Sequence, residues 1–473
     1  MILISISLLL IYTSFFFLVL QKLVNSEFQY LLYFSIILFP VYTVFLSIVY
    51  AGLQQELIIT ILQYSKEVLF FTGFGILILG RQKGVSAKWK LGKLDLLQML
   101  FLGFALIYAV LPIGEATFVS KAIYLKNIVL IGLFYFFGRQ VELDFSQWNR
   151  VFRMVFVLAI VASVLVVSEK VFGIHFHSLI GYRQYNFDIK DLDLLGIYGI
   201  GYTFEAQGGQ PRYGSFFSNP LELSASMLIV VSAALFYLLS AKFKQNRAYY
   251  LFVLACGSIC LLFAYSRATF VAVFIMLVFI AFLLRYYKLL LIVFGSGLLL
   301  VVYVLFLASE ETLYFVLDTL TFQNSSSVTH LIEWAQAVDS IVQNPFGIGL
   351  GTSGNTSGVE DDLRVGGENQ YLIYGVQLGF FGMLLYIGIL STSIMNAWRA
   401  FRAARSRQEG LVPFVAASVK FGLLLPLFTA NVEAYLFISL ISWWLVGQVE
   451  TQYQQLKNIG RSNRKNSFPV IDL

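Results

Sequence analysis

Residues 249–284 read YYLFVLACGSICLLFAYSRATFVAVFIMLVFIAFLL, and the stretch contains a single charged residue, Arg267. A helix that crosses the hydrocarbon core of a bilayer needs about 20 mostly apolar residues. The stretch is therefore long enough for two spans, at 249–265 and 267–284, with a tight turn at Ser266. This pattern predicts a helical hairpin inside a membrane.

The composition extends this prediction to the whole chain. Of the 473 residues, 59% are hydrophobic and 12% are charged, whereas a soluble globular domain carries about 25% charged residues. Both cysteines, Cys256 and Cys260, lie within the apolar stretch, which excludes a disulfide framework and a zinc site. We therefore expect one all-α polytopic membrane domain over residues 1–473.

Apolar windows of about 20 residues mark the individual spans, and the sequence predicts about 12 to 13 transmembrane helices. The windows lie near residues 2–20, 29–50, 58–80, 95–113, 119–138, 150–169, 219–240, 249–265, 267–284, 287–308, 370–395, 413–430 and 431–447.

Basic residues predict the orientation of these spans. They cluster near residues 81–93, 139–153, 242–247, 285–288, 399–407 and 457–465. All of these clusters fall on one side of the membrane if consecutive spans alternate in direction, and basic loops remain in the cytoplasm. The predicted tail at 448–473 is therefore cytoplasmic. The net charge of +6 reflects this topology rather than binding to nucleic acid.

Two predicted extracytoplasmic loops, at 171–218 and 309–369, are much longer than the other connections, and loops of this length are often functional. The second loop contains an amphipathic helix signal. Its apolar residues are Leu331, Trp334, Ala335, Val338, Ile341 and Val342, and the residues expected on the opposite face are Glu333, Gln336 and Asp339. Such a helix either lies on the membrane surface or roofs a cavity, and its acidic polar face favours the roof.

The turn at Ser266-Arg267 is a candidate phosphate site. Ser266 is expected to cap the helix that follows, which places Arg267 in the first turn. A helix N-terminus attracts anions, so a cation there indicates that an anion joins it. The alternative is an arginine that snorkels to the membrane interface or pairs with a carboxylate of a loop.

Other candidate residues lie at the ends of the two long loops. Arg212 closes the first loop, and Asn219, Pro220 and Glu222 fit the N-cap, N1 and N3 positions of the next helix. The second loop ends with Arg364 and Glu368 immediately before a span. Glu368 is the best placed candidate base, although a helix cap or an ion pair would explain it equally well.

The sequence contains three weaker patterns. Gly349-x-Gly351-x-x-Gly354 matches a dinucleotide fingerprint formally, but no strand precedes it, so a flexible hairpin is the preferred interpretation. His175 and His177 lack a third metal ligand nearby and are interpreted as loop histidines. His330 is expected before the amphipathic helix, where it binds phosphate or caps the helix.

The C-terminal half resembles the O-antigen polymerase and O-antigen ligase superfamily of bacterial membrane glycosyltransferases. The resemblance depends on the order of several short elements on one side of the membrane. These elements are Arg212-Tyr213-Gly214-Ser215-Phe216 with Asn219-Pro220, Ser266-Arg267-Ala268, Trp334-Ala335, residues 344–351 (NPFGIGLG) and Asn369-Gln370-Tyr371-Leu372.

The resemblance implies transfer of a glycan from an undecaprenyl diphosphate carrier to an acceptor sugar hydroxyl at the outer face of the bacterial inner membrane. It implies an inverting reaction without metal, nucleotide-sugar or other cofactor. The partners would be the lipid-linked glycan, the acceptor glycan, membrane lipid and a chain-length regulator. By resemblance, the diphosphate is held by Arg212, Arg267, Arg364 and Ser266, the base is Glu368, and the accessory residues are His330, Asn369 and Tyr371.

Two details favour a polymerase of the O-antigen, capsule or exopolysaccharide type, and a ligase is the alternative. Similar ligases have a histidine where this chain has Glu368, and the spacing from Arg364 to Gly375 resembles that of polymerases. From another class, a flippase or transporter would need ionisable residues along a path through the membrane. The candidates for such a path are few and scattered in the sequence: Lys66, Glu67, Lys126 and Lys420. A structural scaffold is a third alternative.

Overall fold

The computed structural model describes residues 1–79, 91–206, 209–240, 246–306, 325–354, 359 and 363–462. These residues form α-helices joined by turns and loops, and the same ranges contain no β-strand beyond an isolated bridge between Glu205 and Pro211. Ten of the helices are long and apolar enough to cross a membrane. The all-α polytopic fold is therefore confirmed.

The helices are bounded as follows, in chain order: α1 Ile2–Val24, α2 Gln29–Leu53, α3 Glu56–Leu79, α4 Lys93–Val110, α5 Phe118–Gln140, α6 Phe145–Phe172, α7 Phe176–Leu179, α8 Tyr182–Lys190, α9 Pro220–Leu239, α10 Arg247–Phe263, α11 Arg267–Leu284, α12 Lys288–Phe306, α13 Ser325–Gln343, α14 Gln370–Ala403, α15 Arg407–Thr429 and α16 Leu436–Ser462. Two short 3-10 helices cover Tyr202–Phe204 and Val432–Ala434.

Each apolar window of the sequence falls on one of these helices, namely α1 to α6, α9 to α12 and α14 to α16. The window at 267–284 coincides with α11 at both ends. The window at 431–447 begins five residues before α16, which starts at Leu436 and continues to Ser462. Parts of the predicted loops and tail lie outside the described residues: 207–208, 309–324, 355–358, 360–362 and 463–473.

The last helix, α16, lies at the centre of the bundle and packs most closely on α5. Trp443 and Trp444 are fully buried there. A side chain at Gly138 of α5 would strike the backbone of Trp444, and one at Gly447 of α16 would strike the backbone of Tyr135. Small residues let membrane helices approach closely, so this crossing holds α16 in place for the site that it helps to build.

Helix α14 is interrupted at Gly379, whose φ of 73° and ψ of −179° are non-helical. The loop after α13 fills the interruption. The amides of Ile348 and Gly349 donate to the carbonyls of Val376 and Gln377 at 2.8 and 3.2 Å, and the amide of Phe380 donates to the Pro345 carbonyl at 2.9 Å. Backbone groups at membrane depth need such partners. The flexible hairpin predicted for residues 349–354 is therefore wrong, because the start of this loop is fastened to α14.

We expect Gly379→Ala to destabilise the protein. Only glycine adopts this backbone region without strain, and an added Cβ would also strike the backbone of Pro345 and Phe346. The expected loss is about 3 kcal/mol, seen as a lower Tm of the purified protein in detergent. Gly388→Ala in the same helix is the control, since its Cβ would lie 3.9 Å from the nearest atom, Leu97 Cδ1. Equal Tm values for the two variants would contradict the prediction.

Three ionisable residues within the spans lie together. Glu67 Oε1 is 3.0 Å from Lys66 Nζ and 3.2 Å from Lys126 Nζ, and Lys66 also donates to the Tyr42 hydroxyl at 2.8 Å. The prediction that these residues are scattered is wrong, because α3 and α5 bring them to one level. Lys420 lies apart, with Nζ 3.5 Å from the ring centre of Trp443. The cluster is compact and does not form a row through the membrane.

Candidate active site

A cavity of about 440 Å³ lies where the ends of several spans meet the two long loops. Its walls come from the end of the first loop, the start of α11, helix α13, the start of α14 and the connection from α15 to α16. The polar residues that line it include Thr203, Arg212, Ser266, Arg267, Thr269, Ser327, His330, Glu368, Thr429 and Tyr435. The structure therefore brings together five of the residues predicted for the site: Arg212, Ser266, Arg267, His330 and Glu368.

Arg212 reaches the cavity from a loop whose backbone is fixed on both sides. Its amide donates to the Phe204 carbonyl at 2.8 Å, and the next amide, that of Tyr213, donates to the Phe263 carbonyl at 3.0 Å. The Nε of Arg212 is buried and has no hydrogen-bond partner among the residues that the structure describes. Burial, with a further contribution from the charge of Arg267, lowers the pKa of Arg212 to about 10. Arg212 is still a cation at neutral pH, and an anion would satisfy it.

The Arg212 loop is anchored by Glu169, in the last turn of α6. The two carboxylate oxygens of Glu169 accept hydrogen bonds from two separate segments of the chain. Oε1 accepts from the amide of Phe176 at 2.8 Å, and Oε2 accepts from the amide of Ser215 at 3.0 Å. Ser215 needs this support because its φ is 53°, in the left-handed region. Sequence reasoning missed Glu169, which stands at the end of an apolar window without any motif around it.

We expect Glu169→Ala to destabilise the loop that carries Arg212. The change leaves the Ser215 and Phe176 amides without their acceptor, so this loop loosens. The expected loss is about 1 to 3 kcal/mol, the cost of leaving a buried donor unsatisfied. The readout is the Tm of the purified protein in detergent. Ser168→Ala is the neighbouring control, since its exposed hydroxyl bonds only within α6, to the Val164 carbonyl; equal loss in both variants would contradict the prediction.

His175 and His177 lie beneath the same loop. His177 Nε2 is 2.8 Å from the Phe217 carbonyl oxygen, and the His175 ring packs against the rings of Tyr198 and Tyr213. Burial lowers the pKa of both histidines to about 4, so they are neutral at physiological pH. They act as core residues of the first loop rather than as exposed loop histidines.

Ser266 caps α11 as the sequence predicts. The amide of Thr269 points to Ser266 Oγ at 3.5 Å, and the two hydroxyls are 3.0 Å apart. Thr269 also accepts from the Ser224 hydroxyl at 3.1 Å, which ties this end of α11 to α9. Arg267 therefore lines the cavity at the N-terminus of a fixed helix, where backbone N–H groups add to its positive charge.

Across the cavity, His330 lies between two carboxylates. Its Nδ1 is 3.7 Å from Glu333 Oε2 and its Nε2 is 3.8 Å from Glu368 Oε2, which are electrostatic contacts rather than hydrogen bonds. Glu333 and Glu368 raise the pKa of His330, while burial and the charge of Arg267 oppose them. The predicted position of His330 before the helix is wrong, since α13 begins at Ser325.

Helix α13 lies over the cavity, to which Ser327, His330 and Trp334 contribute. Its packed side agrees with the predicted apolar face only at Ile341. The buried residues are Ala337 and Ile341, which pack in one cluster with Val376 of α14, whereas Leu331, Val338 and Val342 are exposed. Glu333 was expected on the opposite face, but it points to the loop before α14, where a side chain at Gly367 would strike its carboxylate. The missed signal is the pair Gly366-Gly367, which leaves room for Glu333.

Three other predicted site residues do not line the cavity. Asn369 caps α14, since its Oδ1 accepts from the amides of Tyr371 and Leu372 at 3.0 and 3.2 Å. The Tyr371 hydroxyl donates to the Leu424 carbonyl at 3.0 Å. Arg364 is half-buried in the loop before α14 and is not part of the cavity wall. Asn369 and Tyr371 therefore hold the start of α14 in place beside the cavity rather than line it.

Glu222 has a different role from the predicted capping box. Asn219 does cap α9, accepting from the Glu222 amide at 2.9 Å. The carboxylate of Glu222, however, accepts from the Ser218 hydroxyl and, at 3.2 Å, from the amide of Phe437. Glu222 therefore links α9 to the first turn of α16, close to Tyr435 in the cavity wall.

One region of the chain is similar to a known protein family. Residues 251–387 match the family model described as O-antigen ligase. The match includes Arg267, His330 and Glu368, whereas Arg212 precedes it. No curated protein matches the chain. The match confirms the resemblance to the O-antigen polymerase and ligase superfamily over this region, in a chain whose described residues form ten helices able to span a membrane.

Proposed function

We propose that the protein is a polysaccharide repeat-unit polymerase of the O-antigen, capsule or exopolysaccharide type. It transfers a glycan from undecaprenyl diphosphate to a sugar hydroxyl at the outer face of the bacterial inner membrane, and its C-terminus is cytoplasmic. The observation that carries the proposal is the single cavity that holds Arg212 and Arg267 together with Glu368. Two cations suit a diphosphate, and a carboxylate suits an acceptor hydroxyl.

The two arginines bind the leaving group, the diphosphate, and stabilise its negative charge. Guanidinium groups bind phosphate oxygens through charge-assisted hydrogen bonds, and the unpartnered Nε of Arg212 has such a bond to offer. As the bond between the anomeric carbon and the phosphate oxygen breaks, the electron pair stays on the diphosphate. The cations and the N-terminus of α11 stabilise the charge that develops there. This chemistry assigns the diphosphate to the side of the cavity formed by Arg212, Ser266 and Arg267.

Glu368 acts as the base for the acceptor hydroxyl. As the acceptor oxygen forms its bond to the anomeric carbon, its proton passes to the carboxylate, and attack from the face opposite the diphosphate inverts the configuration. His330, 3.8 Å from Glu368, places positive charge beside this carboxylate when it is protonated. The residues needed for the step are thus supplied by α13 and by the loop before α14.

Apolar grooves beside the cavity suit the long lipid of the carrier. A groove of about 680 Å³ runs between α11, α14 and α15, and Leu425 borders both this groove and the cavity. A second groove of about 820 Å³ continues along α11 and α12 and shares Ile275 and Phe421 with the first. A polyprenyl chain could therefore extend from the diphosphate along the membrane face of these helices.

A ligase is the second candidate because the cavity contains an imidazole. Similar ligases carry a histidine at the position of Glu368, and here His330 of α13 lies beside Glu368 instead. A flippase is disfavoured by the compact ion-paired cluster of Lys66, Glu67 and Lys126, which lies away from the cavity residues. A transport path would need ionisable groups along the depth of the membrane.

The test uses the full-length protein in lipid nanodiscs, supplied with the lipid-linked glycan extracted from cells that make it, in the presence of a metal chelator. A ladder of longer lipid-linked products from this single substrate supports the polymerase. Product that appears only after a second, different acceptor is added supports the ligase. No product in either case, with carrier and acceptor both present and the protein folded, overturns the transferase proposal.

A further inference from the structure

Helix α13 carries an exposed row of apolar side chains, here called the outer stripe. The outer stripe consists of Val328, Leu331, Ala335, Val338 and Val342. The spacing of three and four residues places them on one side of the helix. Their exposure is high for apolar residues: 41% for Val328, 44% for Leu331, 49% for Val338 and 70% for Val342. No charged side chain interrupts the row.

The outer stripe is one of three faces of α13. Successive residues of an α-helix are about 100° apart, so Ala337 and Ile341 on the packed face lie to one side of the outer stripe. Gln336, Asp339 and Gln343, all exposed, lie to its other side. A helix between protein and water needs two faces, one apolar and one polar. A third face that is apolar and uncovered indicates a third environment.

The contacts of the second half of α13 place it near the ends of two spans. At the middle of α13, the Trp334 ring packs on Phe428 in the last turn of α15, with ring centres 4.7 Å apart. Just beyond the end of α13, the Phe346 carbonyl accepts from the Tyr108 hydroxyl in the last turn of α4. Helices α4 and α15 are both candidate spans. The second half of α13 therefore runs from the end of one span to the end of another, where the hydrocarbon of a bilayer meets its headgroups.

Exposed apolar residues of the bundle also lie close to the end of the outer stripe. Phe346, four residues after Val342, is 82% exposed, and its backbone packs on the interruption of α14 at Gly379. The next two residues of α14, Phe380 and Phe381, are 50% and 56% exposed. Because α14 is itself a candidate span, exposed aromatic rings on it are expected to face lipid. The last residue of the outer stripe is therefore close in the chain to a residue that packs on a membrane-facing part of α14.

We propose that the outer stripe docks on the lipid bilayer, inserted at the boundary between headgroups and acyl chains of the outer leaflet. One helix would then serve two purposes: its packed face roofs the cavity with His330 and Trp334, and its outer stripe holds that roof on the membrane. The two interpretations that the sequence left as alternatives, roof and surface helix, are combined in one element. The proposal does not depend on which glycan is transferred.

The test measures where single spin labels on α13 reside when the full-length protein is in lipid nanodiscs. The two native cysteines, Cys256 and Cys260, are buried and are first replaced by alanine. Labels at positions 338 and 342 report on the outer stripe, and labels at 336 and 343 report on the polar face as matched controls. Collision with oxygen, which concentrates in lipid, is compared with collision with a water-soluble nickel chelate.

We expect a higher ratio of oxygen to nickel collisions at 338 and 342 than at 336 and 343, rising and falling with the helical period. Nickel collisions at 338 and 342 equal to those at 336 and 343 would overturn the proposal, because the outer stripe would then face water. Shielding of 338 and 342 from both reagents would also overturn it, because protein would then cover the outer stripe. Unchanged elution of each labelled protein on gel filtration establishes that it is folded.

Discussion

Replacing Arg267 with alanine is expected to abolish polymer formation while single repeat units accumulate on the carrier lipid. The loss of one preorganised cation that stabilises the leaving group should lower the transfer rate by about 10² to 10³-fold. Arg212→Ala should have a comparable effect, because both guanidinium groups line the same cavity and Arg267 contributes to the lowered pKa of Arg212. The measurement is glycan length on a gel, together with the amount of lipid-linked unit, in cells with equal membrane levels of each variant.

Arg183→Ala is the matched control for both arginine variants. Arg183 belongs to the same long loop as Arg212, but its side chain is 66% exposed and lies 3.8 Å from an exposed Asp193 carboxylate. Exposed pairs of this kind contribute little, so the polymer should keep its normal length. Normal polymer in Arg267→Ala and Arg212→Ala would refute the diphosphate site. Equal defects in polymer formation in all three variants would show that the defect is not specific to the cavity.

Glu368→Gln is expected to reduce the transfer rate by about 10² to 10⁴-fold, the range that general base catalysis contributes. Glutamine keeps the size of the side chain and cannot accept the proton. The Asn369 cap and the Tyr371 hydrogen bond to Leu424 do not involve this carboxylate, so the fold should be retained. Retained binding of the lipid-linked glycan, measured with the purified variant, separates this result from a loss of the diphosphate site. A variant with normal transfer would exclude Glu368 as the base.

The pH dependence of transfer should reveal the partner of Glu368. Glu333 and Glu368 raise the pKa of His330, so the imidazolium persists to higher pH than an ordinary histidine would allow. Its stabilising contribution is complete below about pH 6.5 and is lost as pH rises through the raised pKa. If the imidazolium supports Glu368, the transfer rate falls over the same interval. Glu333→Gln removes the largest cause of the raised pKa and should move this fall to lower pH; an unchanged profile would exclude His330 from the reaction.

The spans could be predicted because a transmembrane helix depends only on the composition of one continuous stretch of sequence. A stretch of about 20 apolar residues has few alternatives to a transmembrane helix, so the window at 267–284 matched α11 at both ends. The interruption of α14 at Gly379 could not be predicted in this way. The interruption depends on a loop some thirty residues earlier, which supplies hydrogen-bond partners for the backbone groups of α14 that lose their helical partners. No sequence pattern within α14 indicates that this loop will pack there.

The residues of the candidate site could also be predicted only in part, because local sequence indicates some of them and long-range packing determines the rest. Arg212, Arg267 and Glu368 could be selected because each stands next to the outer end of a span, where a charged residue requires a reason. Their convergence on one cavity follows from the packing of α9, α11, α14 and α15, which is information that no single segment holds. Neighbours in a motif also point in different directions: Glu368 faces the cavity, whereas Asn369 caps its helix. The motif therefore lies next to the cavity, but only some of its side chains line the cavity wall.

The hydrogen bond from the Phe437 amide to Glu222 joins residues 215 positions apart in the chain. It connects the helix after the Arg212 loop with α16, which is synthesised much later, and Tyr435 beside it contributes to the cavity wall. During biogenesis, Arg212 and Arg267 leave the ribosome long before α16 is available. A nascent chain that stalls or is cleaved before α16 therefore lacks a closed site. Under the proposed function, transferase activity should therefore appear only after α16 has been synthesised and inserted.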